Sequence, residues 1–577
     1  MRQGYDGEIR RGKMAETRIW DVVPGHDFDE EADLKDYPSW MMDASHSWPP
    51  QTPLAAWYWM KNCGDGPTYA DTVLSFPFCK GSEFRMRWGA SYTATLVVRD
   101  EEEIKQREVK YREAMRPFIE DFDGWWQKAK DELLGMYARL KSFDFESATG
   151  VELLYHLFDL NTVNRRMWEI HFTGFSAAMN GWCLFEELCK EWWGLTDSAP
   201  EFQKLVAGFD NKIQQVDRRL WQLGQDAISK GVADIIMTTE VGELTPKLEQ
   251  TEAGREWLKA FHEFLNEDGW RMQRMHVFDE PTWIEDPTPA IWSIRGYIAK
   301  GGGFSLDEIR ERLVKEREEA EAAIMQRVPE EHKEMFLTLL RLTQKAGAYN
   351  EEHTYYCECM CHSIMRRSFL KIGERLARAG TIDKPDDIFF VNPDEIQRVI
   401  HVPEIHDLRW IVNRRRRDWE EWHKIERPPL FTTRGSMEEA FVMDLLGSRE
   451  AVATKVIVGE LPTVRPELKA DLYGVCGSPG VAEGTARVIL SIDQLGDVQP
   501  GDILVAPATA TTWTPVFGLI KGVVIDRGGP LAHAAIVGRD YGIPVIVNTF
   551  EGTQKIKSGQ MIKIDATQGL VYILGGR

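Results

Sequence analysis

The sequence predicts a multidomain protein in which a large all-α N-terminal domain is followed by a smaller C-terminal β/α domain. A chain of 577 residues is too long for one compact core. Up to about residue 445, apolar residues recur at helical spacing of three and four. From residue 473 onward, short β-branched runs alternate with turns. We therefore predict a mainly helical domain over 1–445, a mobile linker over 446–472 and a β/α domain over 473–577.

The helical period is clearest in the segments 101–140, 305–328 and 360–380. Ser305 followed by Glu308 forms a capping-box pattern that predicts a helix start. The segment 446–472 has prolines, glycines and no sustained period, which is typical of a linker. In the C-terminal domain we expect strands within 486–492, 501–508, 522–529, 542–549, 561–566 and 570–574. Short helices are expected near 512–519 and 531–541.

Charge and composition exclude several classes of function. The net charge is −21, from 70 basic and 91 acidic residues, and this field repels nucleic acid and anionic membranes. No apolar run of about 18 residues exists that would predict a membrane span. The N-terminal stretch mixes both charge signs and lacks the apolar core of a secretory signal. We expect a cytoplasmic protein without nucleic-acid or membrane partners.

Eight scattered cysteines also favour a reducing compartment over a disulfide framework. Cys357, Cys359 and Cys361 are closely spaced, but in a helix the middle one points away from the other two. A metal site there is the less favoured interpretation, since no second cysteine pair completes it. No other metal-ligand set stands out in the sequence.

His533 is the candidate nucleophile, because it follows a buried strand and a Gly-Gly turn at the expected start of a helix. Gly528 and Gly529 permit backbone conformations that other residues avoid, and Pro530 favours a first helical turn. Free N–H groups and the positive end of the helix dipole at such a start attract a phosphate dianion. The same environment disfavours the imidazolium, so that the ring stays neutral and nucleophilic.

The blocks GSPGVAEGTARVIL, GDILVAPATATTWTPVF and GGPLAHAAIVGRDYGIPVIV occur in this order over about 474–576. They resemble the swivelling phosphohistidine domain of the PEP-utilising enzymes. The resemblance implies that His533 carries a phosphoryl group, with Arg527, Gly528, Gly529 and Ala534 supporting the phosphate. The sequence departs from relatives at Ala532, where Ser or Thr is usual, so a hydroxyl beside the phosphate is missing. It also departs at Thr511 and Thr512, which replace an acidic-proline pair, and at Asn548, where Gly is usual.

The stretches 40–54, 278–287 and 369–396 resemble the helical substrate-binding domain of rifampicin phosphotransferase-like enzymes. A helical acceptor domain joined to a phosphohistidine domain resembles the large subunit of phenylphosphate synthase and related hydroxyacetophenone dikinases. This resemblance implies a phosphotransferase that splits ATP to AMP and phosphate. A separate ATP-grasp subunit would hold ATP and most of the Mg²⁺, and the phosphoryl group would pass through His533 to a phenolic hydroxyl.

Transfer to a hydroxyl requires a base and groups that offset the charge of the phosphoryl. The best local candidates for catalysis are Glu351, Glu352 and His353, which we expect at the opening of a helix. No Arg or Lys falls in this cluster, which leaves the charge-neutralising residue unassigned. Candidate substrate-binding residues are His46, Trp48, Trp283, Tyr349 and Tyr355.

Two alternatives remain. In the first, the same machinery serves a different acceptor, such as an antibiotic or pyruvate. In the second, a non-enzyme interpretation, the chain is a phosphocarrier or regulatory scaffold, but a carrier has no need of a helical module of about 450 residues.

Overall fold

The structure is a computed structural model that describes residues 23, 25–43, 47, 49–272, 277–301, 305–440, 443–444, 462–510, 513–529 and 532–574. It confirms a mainly helical N-terminal region and a strand-rich C-terminal domain. The predicted linker falls largely on residues 445–461, which lie outside the described part of the chain. Within the described residues, no helix is both long enough and apolar enough to cross a membrane.

The helices of the N-terminal region vary from single turns to more than ten turns. They are α1 Glu30–Asp36, α2 Pro53–Tyr58, α3 Gly66–Leu74, α4 Glu101–Lys141, α5 Gly150–Trp193, α6 Pro200–Leu205, α7 Lys212–Ser229, α8 Ala233–Thr238, α9 Val241–Leu248, α10 Glu252–Asp268, α11 Thr288–Lys300, α12 Leu306–Met325, α13 Lys333–His353, α14 Met360–Arg378, α15 Pro393–Val399, α16 Arg409–Trp422 and α17 Met437–Ala440. Two π-helical turns, Trp59–Cys63 and Thr354–Cys359, interrupt the α-helical geometry.

Helix boundaries follow local chemistry. At the start of α12 the Ser305 side chain accepts a hydrogen bond from the Glu308 N–H, as the sequence predicts. A full capping box of Thr149 and Glu152 opens α5. One continuous apolar core joins α5, α13 and α14. These three helices therefore form the frame on which the candidate acceptor residues lie.

The N-terminal region also contains a four-stranded antiparallel sheet that the sequence analysis did not anticipate. Its strands are β1 Ser39–Met42, β2 Cys79–Arg87, β3 Ala90–Val97 and β4 Leu430–Thr432, in the order β2-β3-β1-β4. β1 and β4 are too short to give a period of two, and nearly 400 residues separate them. The β2–β3 turn uses Trp88 and Gly89, both at positive φ, rather than the Asn-Gly pair that marks such turns in sequences.

The C-terminal domain is built on an eight-stranded sheet in the order β5-β12-β11-β7-β8-β9-β10-β6. Strands β7 to β10 pair in parallel, and apolar clusters cover both faces. The strands are β5 Leu472–Tyr473, β6 Val475–Ser478, β7 Val481–Val488, β8 Ile503–Ala506, β9 Gly522–Ile525, β10 Val545–Val547, β11 Met561–Asp565 and β12 Leu570–Ile573. The helices are α18 Thr514–Phe517, α19 His533–Tyr541 and α20 Gly552–Lys555. The predicted strands and both predicted short helices are present.

The C-terminal domain is docked on the helical region. Trp292 and Leu306 pack against its core, and Leu519 lies against Gly296 of α11. The Tyr541 hydroxyl at the end of α19 donates a hydrogen bond to Asp217 Oδ2 of α7, at 2.7 Å. This contact is buried, so the C-terminal end of α19 lies against the helical region.

Candidate functional site

His533 is the first residue of α19 and lies at the carboxyl edge of the parallel strands. The chain leaves β9 at Ile525, passes Gly528 at φ 131° and enters the helix after the N-cap Ala532. A Cβ at Gly528 would lie 2.8 Å from the Ala532 side chain, so the turn requires glycine both for conformation and for space. The predicted strand–turn–histidine arrangement is therefore present, whereas Pro530 lies outside the described residues.

Two threonine hydroxyls hold the His533 ring. Thr509 Oγ1 lies 3.0 Å from His533 Nδ1, and Thr514 Oγ1 lies 3.1 Å from Nε2. Thr509 follows β8 and His533 follows β9; since these strands are parallel neighbours, their carboxyl ends meet at one edge of the sheet. The hydroxyl expected at position 532 is absent because that residue is alanine, but Thr509 after β8 and Thr514 at the start of α18 supply hydroxyl groups.

His533 is neutral over the physiological pH range. Its pKa is lowered to about 3, mainly by burial and in addition by the nearby positive charge of Arg271. Phe517 packs edge-on against the ring, with centroids 5.7 Å apart. An imidazole fixed at both nitrogens and unprotonated near pH 7 is a competent nucleophile for phosphorus.

The other phosphate-supporting candidates lie close to this turn. Gly528, Gly529 and Ala534 are buried, and Ala534 leaves only a methyl group beside the histidine. The Arg527 N–H donates to the Pro507 carbonyl, which ties the Gly-Gly turn to the loop that carries Thr509. Burial lowers the pKa of the Arg527 guanidinium. Asn548 adopts a φ of 60°, which explains why glycine is usual there and why asparagine is tolerated.

Arg271 places a positive charge near His533 that was not predicted from the sequence. Its side chain is fully buried, and the guanidinium stacks on Trp283 with 4.5 Å to the ring centroid. Its charge acts on both domains, because it lowers the pKa of His533 and opposes the rise in the pKa of Glu351. Trp283, a predicted substrate-binding residue, is fully buried, and its ring packs against the Arg271 guanidinium.

Glu351 is a buried carboxyl group with a strongly raised pKa. Burial is the largest cause, and the charge of Asp540 in the C-terminal domain is the second. Together they raise the pKa of Glu351 to about 8. Asn350 donates to Glu351 Oε1 at 3.3 Å, and Oε2 has no hydrogen bond among the described residues. Burial likewise raises the pKa of Asp540 to about 7 and that of Asp217 to about 6. The interface therefore holds carboxyl groups whose pKa values are raised towards neutral pH.

The remaining candidates occupy other surroundings. The expectation that this cluster opens a helix is wrong, since residues 349–353 end α13 and continue directly into the π-helical turn. The Glu352 carboxylate accepts a hydrogen bond from Trp126 at 2.7 Å and lies 3.6 Å from Lys130, on the side of α4. His353 is buried against α5, with its ring stacked on Tyr349.

Tyr355 lies nearer to the interface. Its side chain is buried, and burial raises the pKa of its hydroxyl. The charge of Arg271 opposes this rise, so Tyr355 lies within electrostatic reach of Arg271. Tyr349 packs against Trp125 and Trp126 in the helical core. His46 and Trp48 lie outside the described residues. Cys357, Cys359 and Cys361 are buried and form no disulfide, and burial raises the pKa of Cys361 to about 12.

Sequence reasoning missed Arg271, Thr509, Thr514, Asp217 and Asp540. Arg271 lies seven residues before the family-like block 278–287, which is the one signal that pointed to it. The threonines stand within the block that contains Trp513 but carry no pattern of their own. Asp217 and Asp540 become functional candidates only because docking buries them against each other's domain.

Two family models match parts of the chain. Residues 498–569 match the family model described as "PEP-utilising enzyme, mobile domain". The C-terminal domain is a mobile domain of the PEP-utilising type. Residues 170–351 match the model described as "Rifampicin phosphotransferase fourth domain". The first match includes His533 of the mobile domain, and the second includes Asp217, Arg271 and Glu351 of the helical region.

The chain is also similar to several curated proteins. It is 28% identical over 552 residues to chondramide synthase of Chondromyces crocatus, covering 93% of this chain and 14% of that protein. It is 28% identical to an uncharacterized phosphotransferase of Bacillus subtilis, covering 65% of this chain and 43% of that protein. Rifampicin phosphotransferase of Bacillus subtilis is 26% identical, with 69% and 44% covered. The chain thus spans less than half the length of these relatives.

Proposed function

We propose that this chain is the phosphohistidine-carrying and acceptor-binding part of a phosphotransferase that phosphorylates a phenolic small molecule. An ATP-grasp partner subunit would bind ATP with Mg²⁺ and phosphorylate His533, releasing AMP and phosphate. Docking as observed would then bring the phosphohistidine to Arg271 and Glu351. The predicted linker over 446–472 would let the mobile domain travel between the two sites.

Each residue has a role in the transfer step. The acceptor oxygen attacks phosphorus, and a new O–P bond forms as the N–P bond of phospho-His533 breaks. The hydroxyl proton passes to the Glu351 carboxylate. The second ring nitrogen of the phosphohistidine carries a proton, so that neutral imidazole leaves. Arg271 offsets the negative charge of the transferring phosphoryl group.

The pKa of Glu351 is the observation that favours a phenolic acceptor. A general base works best when its pKa lies near the operating pH, where it is partly ionised and still strongly basic. Glu351, at about 8, is within about two units of a phenolic hydroxyl, for which tyrosine at about 10 is the reference. An ordinary carboxylate near 4 would be a much weaker base for that proton.

A second candidate acceptor is an antibiotic of the rifamycin class. The match of residues 170–351 to the rifampicin phosphotransferase fourth domain favours it. With such an acceptor Glu351 and Arg271 keep the same roles. Only the residues that contact the rest of the acceptor molecule are different ones. Both acceptors distinguish the enzyme from a carrier that holds phosphate without passing it to a small molecule.

The test isolates the second half-reaction from the ATP-dependent one. Phosphoramidate, a chemical donor that phosphorylates histidine, is used to load the full chain without any partner. The loaded chain is then mixed separately with phenol, hydroxyacetophenone, rifampicin and pyruvate. Loss of the phosphoryl mass from the protein together with an aryl phosphate in solution is the expected result. Transfer to rifampicin or pyruvate alone would overturn the phenolic proposal, and transfer to none of them would favour the carrier.

A further inference from the structure

Three buried side chains from α5, α13 and the following π-helical turn meet inside the helical region. A ring nitrogen of His171, a ring nitrogen of His353 and a carboxylate oxygen of Glu358 all lie within 4.8 Å of one another. We propose that these residues bind a divalent transition-metal ion such as Zn²⁺. Two imidazoles and one carboxylate form a ligand set that such ions use in proteins.

The π-helical turn is what brings two of the ligands together. His353 ends α13, and Glu358 lies five residues later, within the turn Thr354–Cys359. In a regular α-helix, residues five apart are separated by about 140° around the axis. The wider i→i+5 pattern of a π-helix returns them to one face, which here points at His171 of α5. Single π turns of this kind are frequent at functional sites.

The protonation of His353 suits a metal ligand. Its Nδ1 lies 2.9 Å from the Tyr349 carbonyl oxygen. Because a carbonyl oxygen only accepts hydrogen bonds, Nδ1 carries the proton and the neutral ring presents its lone pair at Nε2. Nε2 is the atom that faces Glu358, at 3.7 Å from Oε1. A histidine ligand whose other nitrogen donates to a backbone carbonyl is the usual arrangement around protein-bound metals.

The contact between His171 and Glu358 points in the same direction. His171 Nδ1 lies 3.1 Å from Glu358 Oε1, yet within the described residues this nitrogen has no partner with hydrogen-bond geometry. Bonds of about 2.1 Å to one tetrahedral ion place ligand atoms about 3.4 Å apart. The observed separations of 3.1 and 3.7 Å lie on either side of that value. A shared cation would also offset the cost of burying the carboxylate.

The proposed ion would fasten the end of α13 to α5. Glu351 lies two residues before His353, on the part of α13 that reaches the interface. The ion would therefore hold the candidate base in place from the opposite side of the helix. The claim that an ion binds does not depend on the proposed phosphotransferase activity.

The test measures binding on the full chain. Protein stripped with a chelator is titrated with Zn²⁺ and with Co²⁺, and bound metal is counted by mass spectrometry of the elements. His156→Gln is the matched control, since His156 is also buried on α5 but its ring is hydrogen-bonded to Ser368, at 3.0 Å. Wild type and His156→Gln should bind one ion per chain, whereas Glu358→Gln should lose affinity by at least about tenfold.

A second measurement guards against variants that do not fold. X-ray absorption of the Zn²⁺-loaded wild type should show nitrogen and oxygen ligands, including imidazole, and no sulfur. The proposal is overturned if the folded wild type takes up no stoichiometric ion at micromolar free metal. Sulfur ligands, or unchanged binding in a folded Glu358→Gln variant, would overturn it as well.

Discussion

Replacement of Glu351 by glutamine should abolish most of the transfer of phosphate to the acceptor and change its pH dependence. The raised pKa means that Glu351 is protonated, and so inactive as a base, until pH rises through about 8. Roughly a tenth of the residue is then ionised at about pH 7 and roughly nine-tenths at about pH 9. Ionisation of Glu351 alone therefore predicts an increase in the transfer rate of roughly tenfold across this range. Losing a general base lowers a rate by about 10²- to 10⁴-fold.

The assay is stopped-flow or quenched transfer from chain that phosphoramidate has phosphorylated, followed by intact mass. Because the pKa of His533 is about 3 before phosphorylation, loading of the free histidine should vary little with pH in this range. The acceptor hydroxyl also ionises with pH. The pH profile of Glu351→Gln therefore measures the contribution of the acceptor alone. Asn350→Ala is a milder comparison, because it removes the hydrogen bond to Oε1 but keeps the carboxyl group.

Two outcomes would contradict the proposed role of Glu351. If Glu351→Gln transfers phosphate as fast as the wild type, Glu351 is not the base. If both proteins show the same pH profile, its ionisation does not limit the step. In the former case Asp217, whose pKa is raised to about 6, becomes the next candidate for the base.

The other expected results concern the charge, the nucleophile and the dock. Arg271→Gln should slow transfer by about 10²- to 10³-fold. It should also move the pH profile to higher pH, since Arg271 opposes the raised pKa of Glu351. An unshifted profile would contradict the placement of Arg271 near Glu351. Thr514→Val, which removes a hydroxyl from His533, should slow phosphorylation about tenfold or less, and Thr514→Ser should restore it. Tyr541→Phe removes the hydrogen bond to buried Asp217, at a cost of about 1–3 kcal/mol to the docked state. Small-angle scattering should then report a larger radius of gyration, and an unchanged value would argue against the dock.

The C-terminal domain was largely predictable because its signals are local. A buried strand, a Gly-Gly turn and a histidine at a helix start lie within one short segment, and each residue type has one structural meaning there. The threonines that hold His533 were not predictable in this way. They reach the ring only because β8 and β9 are parallel neighbours, which is a property of the sheet and not of either segment.

The candidate acceptor site was predictable only in part, for two physical reasons. Glu351 was identified from its neighbours, but its raised pKa arises from burial and from Asp540, which docking brings from the other domain. His353 and Glu358 share a face only through the π-helical turn, whereas α-helical spacing places them on different faces. Arg271 lies in a loop, where apolar periodicity gives no information about what a side chain contacts.

The most direct test of the account is to locate the phosphoryl group on the chain. Wild type and His533→Asn are incubated with ATP, Mg²⁺ and an ATP-grasp partner, and in parallel with phosphoramidate alone, then digested without acid and sequenced by mass spectrometry. We expect one phosphoryl group on wild type, at His533, that is removed when a phenol is added, and none on the variant. Phosphate on His533→Asn, or on another residue of the wild type under conditions where the partner is active, would contradict it.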